Sequence, residues 1–562
     1  MRRRQRSLLL AAAVACTGLV GFNMLGGGAN HATAAAAPAA AATSAVVDTG
    51  GATLSYRSPS DTGALGVTFG FDTGTLAGGP YTNQGNTIYN LPMYQASTGS
   101  TAQFWLDYVE ELVSAGVDFV AVDTRGYIPG STVPNEGGDP RELTELVDAI
   151  NQAGAAGVLK IAAFDDTPAS MTDKKNQVKH NTGGYSPPFD MADTTGAGEG
   201  GYQYLWDNDL KAFYQAVPDN MLYKVNGQPL VYLWSDNSFA FTNQGNGNSA
   251  NLLKYVRSQA EATFNENPYF VVDQSWIQND PAVSSVANGE DDWFGVPTPT
   301  YTNQTLNGNT YGATVPGFSF VNSTTNMVID PNHGNTLVSN LQNTVGNGDL
   351  ITLVEGFTDW QEGAGLWRTE SAPYATTQRD FPGQDISILR RYSRTPFPTT
   401  LTVQAETADA VTGVSGNPFD VYRTDLPVQT TTDSGGGWNV GDIAAGETET
   451  WDQIAMQGTE DLTVRVASPN TGSQLRFVID GVAGPTITVP NTGGWQNWQT
   501  IDAGLFQFNP GTYHTVQVQY VTGGFNVNWW QATNSTAPTT VISLRAHADN
   551  DYVTAEDRKS VV

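Results

Sequence analysis

Phe119-Val-Ala-Val-Asp123, then an amphipathic stretch with Leu143, Leu146, Val147 and Ile150 on one face, then Leu159-Lys-Ile-Ala-Ala-Phe164-Asp165-Asp166: this succession of strand, helix and strand decides the reading of the fold. Short apolar runs between polar turns read as buried strands, and apolar residues three and four apart read as one face of a helix. The same alternation extends in both directions. Further strands are predicted at 65–71, 230–234, 269–273, 293–296, 317–321 and 350–357. Further helices are predicted where Phe104, Val109, Leu112 and Val113, and then Leu252, Val256 and Ala260, share a face. About eight strand–helix units over 65–394 predict an α/β fold, a (β/α)8 barrel, with a doubly wound sheet as the alternative. The stretches 298–316 and 322–334, rich in Gly, Asn and Thr, read as long loops.

Several predicted strands end in acid: Asp72, Asp123, Asp165 with Asp166, Asp236, Asp273 and Asp359. In a barrel those ends open on one mouth, where function concentrates. A single acidic strand end is commonly a helix cap, but a repeated one predicts a carboxylate-lined pocket. The densest signal is Glu355-Gly-Phe-Thr-Asp359-Trp360-Gln-Glu362-Gly-Ala-Gly-Leu-Trp367-Arg368, directly after the apolar run Leu350-Ile-Thr-Leu-Val354. Glycosidic hydrolysis needs two carboxyl groups at the bond and gains from an aromatic surface against the sugar ring. A second acid or apolar burial raises one carboxyl pKa, so that it donates a proton near neutral pH. Asp123, Asp165, Asp166, Asp236 and Glu355 are candidates to bind sugar hydroxyls, and Trp234 and Trp360 to stack on sugar. Each carries a competing reading as a cap or as core packing. His333 stands in no metal-ligand pattern, and no phosphate loop, dinucleotide fingerprint or nucleophile elbow occurs.

The composition suits that chemistry. The 562 residues carry a net charge of −29, which repels nucleic acid and anionic lipid but not a neutral polysaccharide. Aromatics make up 10%, more than a disordered chain would hold. Arg2, Arg3, Arg4 and Arg6 precede an apolar run, and small residues with A-x-A sites fill 32–42. Residues 1–42 therefore read as a signal peptide and cleavage region, which predicts a secreted, extracellular protein with no membrane attachment after cleavage. Cys16, the one cysteine, falls inside that region, so the mature chain is expected to use neither disulfides nor thiol chemistry. A monomer is expected.

The barrel domain is assigned to 43–396. After Thr395-Pro-Phe-Pro398 the pattern changes to alternating runs such as Leu462-Thr-Val-Arg-Val466 and His514-Thr-Val-Gln-Val-Gln-Tyr520, divided by Gly, Asn and Pro. This predicts an all-β jelly-roll sandwich over 397–533. Residues 534–562 read as a linker and a fragment too short to fold alone. In the sandwich, Trp438 and Trp495 stand in Gly-rich segments where rings can be exposed to sugar, and Asn526 can bond hydroxyls. Trp498 and Trp529 are expected in the core.

Phe357-Thr-Asp359-Trp360-Gln-Glu362-Gly-Ala is similar to the strand-end "N-E-W-x-E-G" motif of glycoside hydrolase family 99 and the "N-D-x-x-E" motif of family 71. Asn226-Gly-Gln-Pro-Leu-Val-Tyr-Leu233 resembles the "G-K-P-x-x-Y" strand of the same group, which includes the bacterial domain of unknown function 5010. The resemblance implies hydrolysis of an α-linked glycan, with Glu362 as acid/base and Asp359 as the base assisting attack. Asp359 and Thr358 depart from the Glu and Asn of family 99, and the Asp agrees with family 71. Gly435-Gly-Gly-Trp438, Arg465-Val-Ala-Ser468, Pro490-Asn-Thr-Gly-Gly-Trp495-Gln-Asn-Trp498 and Gly523-Gly-Phe-Asn526-Val-Asn-Trp529 together resemble a family 6 carbohydrate-binding module. That resemblance implies a structural calcium near Gln404 and Glu406; no organic cofactor is expected. The tail at 542–556 resembles the opening of a fascin-like β-trefoil. The combined expectation is a secreted glycosidase tethered to polysaccharide by its module, or alternatively a non-catalytic glycan-binding protein or adhesin.

Overall fold

The computed structural model describes residues 63–70, 82–83, 86–87, 91–92, 101–124, 143–166, 189–194, 203, 205–236, 241–293, 299–321, 326–359, 363–370, 379–396, 398–415, 425–434, 438–535 and 543–544. Residues 1–42, expected to be a signal peptide and cleavage region, and Asp72, Trp360, Glu362, Gly435 to Gly437 and most of the tail lie outside the described residues.

The N-terminal region is mixed α/β, built on a nearly closed, parallel-rich sheet. In order around the wall come a first strand, Ala64–Phe69, then Phe119–Thr124, Lys160–Asp165, Gln228–Leu233, Tyr269–Asp273, Gly289–Asp291, Asn309–Thr314 and an eighth, Ile351–Val354, which pairs back onto the first. All run parallel, each hydrogen-bonded to its neighbour except at one seam between the sixth and seventh. There the two edges approach without a ladder. The Tyr311 hydroxyl donates to the carbonyl of Asn288 at 3.0 Å, and a Cβ added to Gly289 would fall 2.5 Å from the Tyr311 ring.

The departure from a regular (β/α)8 barrel lies at the same seam. No helix connects sixth and seventh strands among the described residues. Instead Tyr301–Leu306 pairs antiparallel with Asn309–Thr314. Asn307 and Gly308 both take positive φ, 54° and 82°, the turn that matches the twist of a two-residue hairpin. Asn, Thr and Gly hid this strand inside what the sequence reads as a loop. Conversely, the expected strand at 317–321 exists as Phe318–Val321 but pairs antiparallel with Asn326–Ile329, off the wall. The sixth strand lies at Gly289–Asp291 rather than 293–296.

Side-chain alternation splits the wall into two cores. Phe119, Ala121, Ala162, Phe164, Leu230, Tyr232, Tyr269, Val271, Tyr311, Ala313, Ile351 and Leu353 fill the interior. Their neighbours, among them Val120, Val122, Ile161, Ala163, Val231 and Val272, pack outward on the helices Thr101–Ala115, Leu143–Gln152, Asn248–Phe264, Asn335–Asn343 and Gln384–Tyr392. Each fully buried aliphatic or aromatic side chain contributes roughly 1.5–3 kcal/mol.

From Thr400 onward the chain is a β-sandwich. Its spine is two long antiparallel strands, Thr448–Ala467 and Trp498–Tyr520, whose register breaks let them bend from one sheet to the other. Trp530 seals the core, edge-on to Trp451 at 5.7 Å and to Phe477 at 6.1 Å. Ser543–Leu544 adds to Gln507 and Phe508 as a short parallel strand.

The change of pattern at 395–398 does not separate two loose bodies. Arg390 donates to the carbonyl of Thr395 at 2.9 Å, and Arg394 pairs with Asp118 at 2.9 Å. The first sandwich strand, Thr400–Gln404, then packs against the helix Thr101–Ala115.

Candidate functional site

The C-terminal ends of the strands form a mouth, and alternation decides which acids enter it. Asp123 continues the interior series of Phe119 and Ala121. Asp166 continues Ala162 and Phe164, and Asp273 continues Tyr269 and Val271. Glu355 continues Ile351 and Leu353. Beneath them lies an aromatic floor, with Phe164 6.1 Å from Trp234 and 5.2 Å from Trp293. Asp123, Asp166, Glu355 and Trp234 thus lie at strand ends on the inner side of the wall.

Two other expected contacts are not at the mouth. Asp165 follows Ile161 and Ala163, so it faces the helix layer. There it is wholly buried against Asp209, on the π-helical stretch Leu205–Leu210, and its carboxyl is pushed well up, first by burial and then by Asp209. It sits behind the mouth wall. Asp236 accepts from the Ser249 hydroxyl at 3.2 Å, and its backbone N–H donates to Ser275 at 2.9 Å. Burial pushes it up to about 7 despite these partners. It fastens the start of one helix to its neighbour without capping either; the acidic strand end that caps a helix is Asp273, which accepts the Ser275 N–H at 2.9 Å.

The segment after the eighth strand folds back on itself. Ala364 N–H donates to the Asp359 carbonyl at 3.0 Å, and Leu366 N–H to the Phe357 carbonyl at 3.2 Å. Phe357 is buried, edge-on to Tyr108 at 5.2 Å. The Thr358 hydroxyl donates to the Gly70 carbonyl at 3.1 Å and accepts its N–H at 2.9 Å. Glu355 and Asp359 remain at the rim, both partly exposed. Burial of its carboxyl, and then the charge of Asp359, push Glu355 up to about 8. One carboxyl of this pair therefore holds its proton at neutral pH.

Sequence reasoning missed Asp291 and Trp293. Asp291 is opposite Asp273 in the fifth–sixth strand register, and burial followed by Asp273 drives its carboxyl well up. The run Gly289-Glu-Asp-Asp-Trp293 carried that signal, masked by placing the strand too late.

In the sandwich the two tryptophans part company. Trp438 lies within the strand Trp438–Val440, joins the hydrophobic core and is 7% exposed, which corrects the expectation of an open ring. Trp495 is 48% exposed. Its turn is pinned on both sides: Asn526 donates to the Trp495 carbonyl at 2.6 Å, and Gln496 donates to Asn439 at 3.0 Å and accepts from the Thr432 N–H at 2.8 Å. Asn526 is buried, so here it supports the platform.

Glu406 is wholly buried in the turn Ala405–Thr407, while the Gln404 amide donates to Glu110 at 3.1 Å. Among the described residues no three His, Cys, Asp or Glu side chains gather as a metal site. A calcium here would therefore draw on Glu406, the Gln404 amide oxygen and backbone carbonyls, oxygen donors of the kind calcium accepts. Among the described residues no helix is long and apolar enough to cross a membrane.

Residues 61–410 match the family model described as Domain of unknown function (DUF5010), and residues 423–532 match that described as Carbohydrate binding module (family 35). The C-terminal module is thus a carbohydrate-binding module, matched by a family 35 model. Solved structures similar to it include a family 6 module from a Cellvibrio mixtus lichenase in complex with cellotriose. That one is 34% identical, covering 24% of this chain and 96% of that one, with a TM-score of 0.20. The C-terminal family 6 module of a Zobellia galactanivorans laminarinase is 30% identical, covering 24% and 99%, TM-score 0.20. A Clostridium thermocellum family 35 module is 19% identical, covering 24% and 98%, TM-score 0.20.

Proposed function

The chain belongs to the DUF5010 family, and from that premise we propose that it is a secreted glycoside hydrolase whose barrel mouth cleaves a polysaccharide that its module binds. The observation that carries the reading is the rim pair: Glu355, whose carboxyl is pushed up to about 8 by burial and by Asp359, beside the carboxyl of Asp359 itself. A proton donor and a carboxylate at one aromatic-floored cavity are what glycosidic hydrolysis requires. By the motif resemblance Glu362 acts as acid/base and Asp359 as the base assisting attack on an α-linked glycan. Glu355 is the added member, a neutral carboxyl able to donate to the leaving oxygen or to a sugar hydroxyl. Trp495 supplies the ring on which the polymer stacks. A calcium at Gln404 and Glu406 would offset the buried carboxylate there.

The test is a hydrolysis screen of the full chain on soluble α-glucans, β-glucans and mannans. It is followed by Asp359→Asn, Glu362→Gln and Glu355→Gln on the best substrate, with circular dichroism as the folding control. If all three folded variants keep near-normal activity, the mouth is not the site. One observation favours the second reading, a non-catalytic glycan-binding protein: Thr358, which stands where family 99 has Asn, turns its hydroxyl into the wall towards Gly70. Retained binding with no hydrolysis of any screened polymer would select it.

A further inference from the structure

The segment that leaves the mouth ends at Arg368, and Arg368 is buried between the two domains. Its backbone N–H donates to Glu111 of the helix Thr101–Ala115 at 2.9 Å. Its guanidinium lies 3.6 Å from the same carboxylate and donates to Asp409 at 2.6 Å. Asp409 precedes the sandwich strand Ala410–Thr412, and its side chain is completely enclosed. That carboxylate also accepts the N–H of Gly383, at the start of the helix Gln384–Tyr392, at 3.1 Å. It accepts the N–H of Asp452, in the long sandwich strand, at 2.7 Å. A Cβ on Gly383 would come within 2.5 Å of the guanidinium, although its φ of −86° demands no glycine. The residue is small because Arg368 lies against it.

A second tie comes from the same side. Arg379, paired with Asp385, donates to the carbonyl of Gly365 at 3.1 Å. Residues 363–368 are thus held from behind at Gly365 and Arg368, and in front by their own bonds to Phe357 and Asp359.

We infer that Asp409, at the end of the DUF5010 match and directly before the strand Ala410–Thr412 that pairs with the sandwich, is a positioning residue for the mouth. By holding Arg368 it fixes the returning limb onto which Asp359 and Phe357 close, so the module is a structural part of the mouth and not a detachable tether. The inference rests on the mouth reading for its consequence in catalysis, but not for its geometry. A buried arginine that loses one of two carboxylates is left poorly compensated and moves to regain water or a partner, and the limb that ends on it moves too.

The test uses the full chain with Asp409→Ala, and Asp409→Asn as the isosteric variant that removes the charge and turns one acceptor oxygen into a donor while keeping the other. Amide hydrogen exchange at Ala364, Leu366, Trp367 and Arg368 should quicken by at least about tenfold in Asp409→Ala and by less in Asp409→Asn. Exchange in the strand Asn526–Asn534 and retention on polysaccharide should stay unchanged. On a substrate found by the screen, kcat should fall with KM little altered, and the basic limb of the pH profile should shift as Glu355 loses its fixed neighbour. Unchanged exchange at these four amides in folded Asp409→Asn and Asp409→Ala overturns the inference. Quickened exchange in a protein that hydrolyses nothing leaves the clamp standing and rejects the enzyme reading instead. Should Asp409→Ala not fold, the Asp409→Asn exchange decides alone, and no change there overturns it.

Discussion

The barrel mouth and the Trp495 edge of the module offer opposite chemistries to what we take to be the same neutral ligand. At the mouth, acids from five different strands or their ends lie on the inner side of the wall, and burial raises the carboxyls of Asp291 and Glu355. At the module an uncharged ring stands in water on a turn fixed by amide hydrogen bonds. Burial creates reactivity in the first case and would destroy binding in the second. The comparison teaches that exposure is read with opposite sign in the two places: a half-hidden carboxyl is the better candidate in the barrel, a half-exposed ring in the sandwich.

The sharpest way to break it is in the barrel. Asp359→Asn or Glu362→Gln should lower turnover by about 10²–10⁴-fold, the usual worth of general acid–base catalysis, measured as initial hydrolysis rates with folding checked by circular dichroism. Next comes the pair of tryptophans. Trp438→Ala removes a core side chain and should cost about 3–5 kcal/mol of stability in denaturant titration. Trp495→Ala should leave stability nearly unchanged but weaken polysaccharide binding by about 1–3 kcal/mol, seen as lost retention in affinity electrophoresis. Equal behaviour of the two variants would erase the distinction.

A smaller effect separates the mouth acid from ordinary surface carboxylates. Glu355 is raised in the folded state, so its neutral form favours folding. That contribution is complete below pH 4.5, and it is lost as pH rises through about 8. Relative to the native chain, Glu355→Gln should therefore gain stability between pH 5 and pH 9. Melting curves at the two pH values check it, and a parallel offset at both would contradict the assignment. If Glu355 is the proton donor, activity in the native chain also falls along a basic limb near pH 8. The smallest expected effect is at Glu406, where chelation should lower the melting temperature by a few degrees while Trp495-dependent binding persists. Identical melting curves with and without chelator would remove the calcium.

The sequence by itself determined the strand–helix alternation, because apolar periodicity is a local property of residues such as Phe119 to Asp123 and Leu143 to Ile150. It determined most of the strand ends, but not that of Gly289–Asp291, and with it Asp291 went unseen. It also determined the all-β character of the region after Thr400, through its period-two runs. Tertiary structure alone decided which of two adjacent acids, Asp165 or Asp166, enters the cavity, since a one-residue difference in a strand selects the face and only the closed wall says which face is inside. It decided that Asn309–Thr314, poor in apolar residues, completes the wall, because pairing with Ile351–Val354 overrides weak propensity. It decided that Trp438 is core and Trp495 is surface, although both follow glycines in sequence. And it brought Arg368 to Asp409, 41 residues apart. Long-range pairing of charges follows from how whole elements pack, and no local pattern in the chain encodes it.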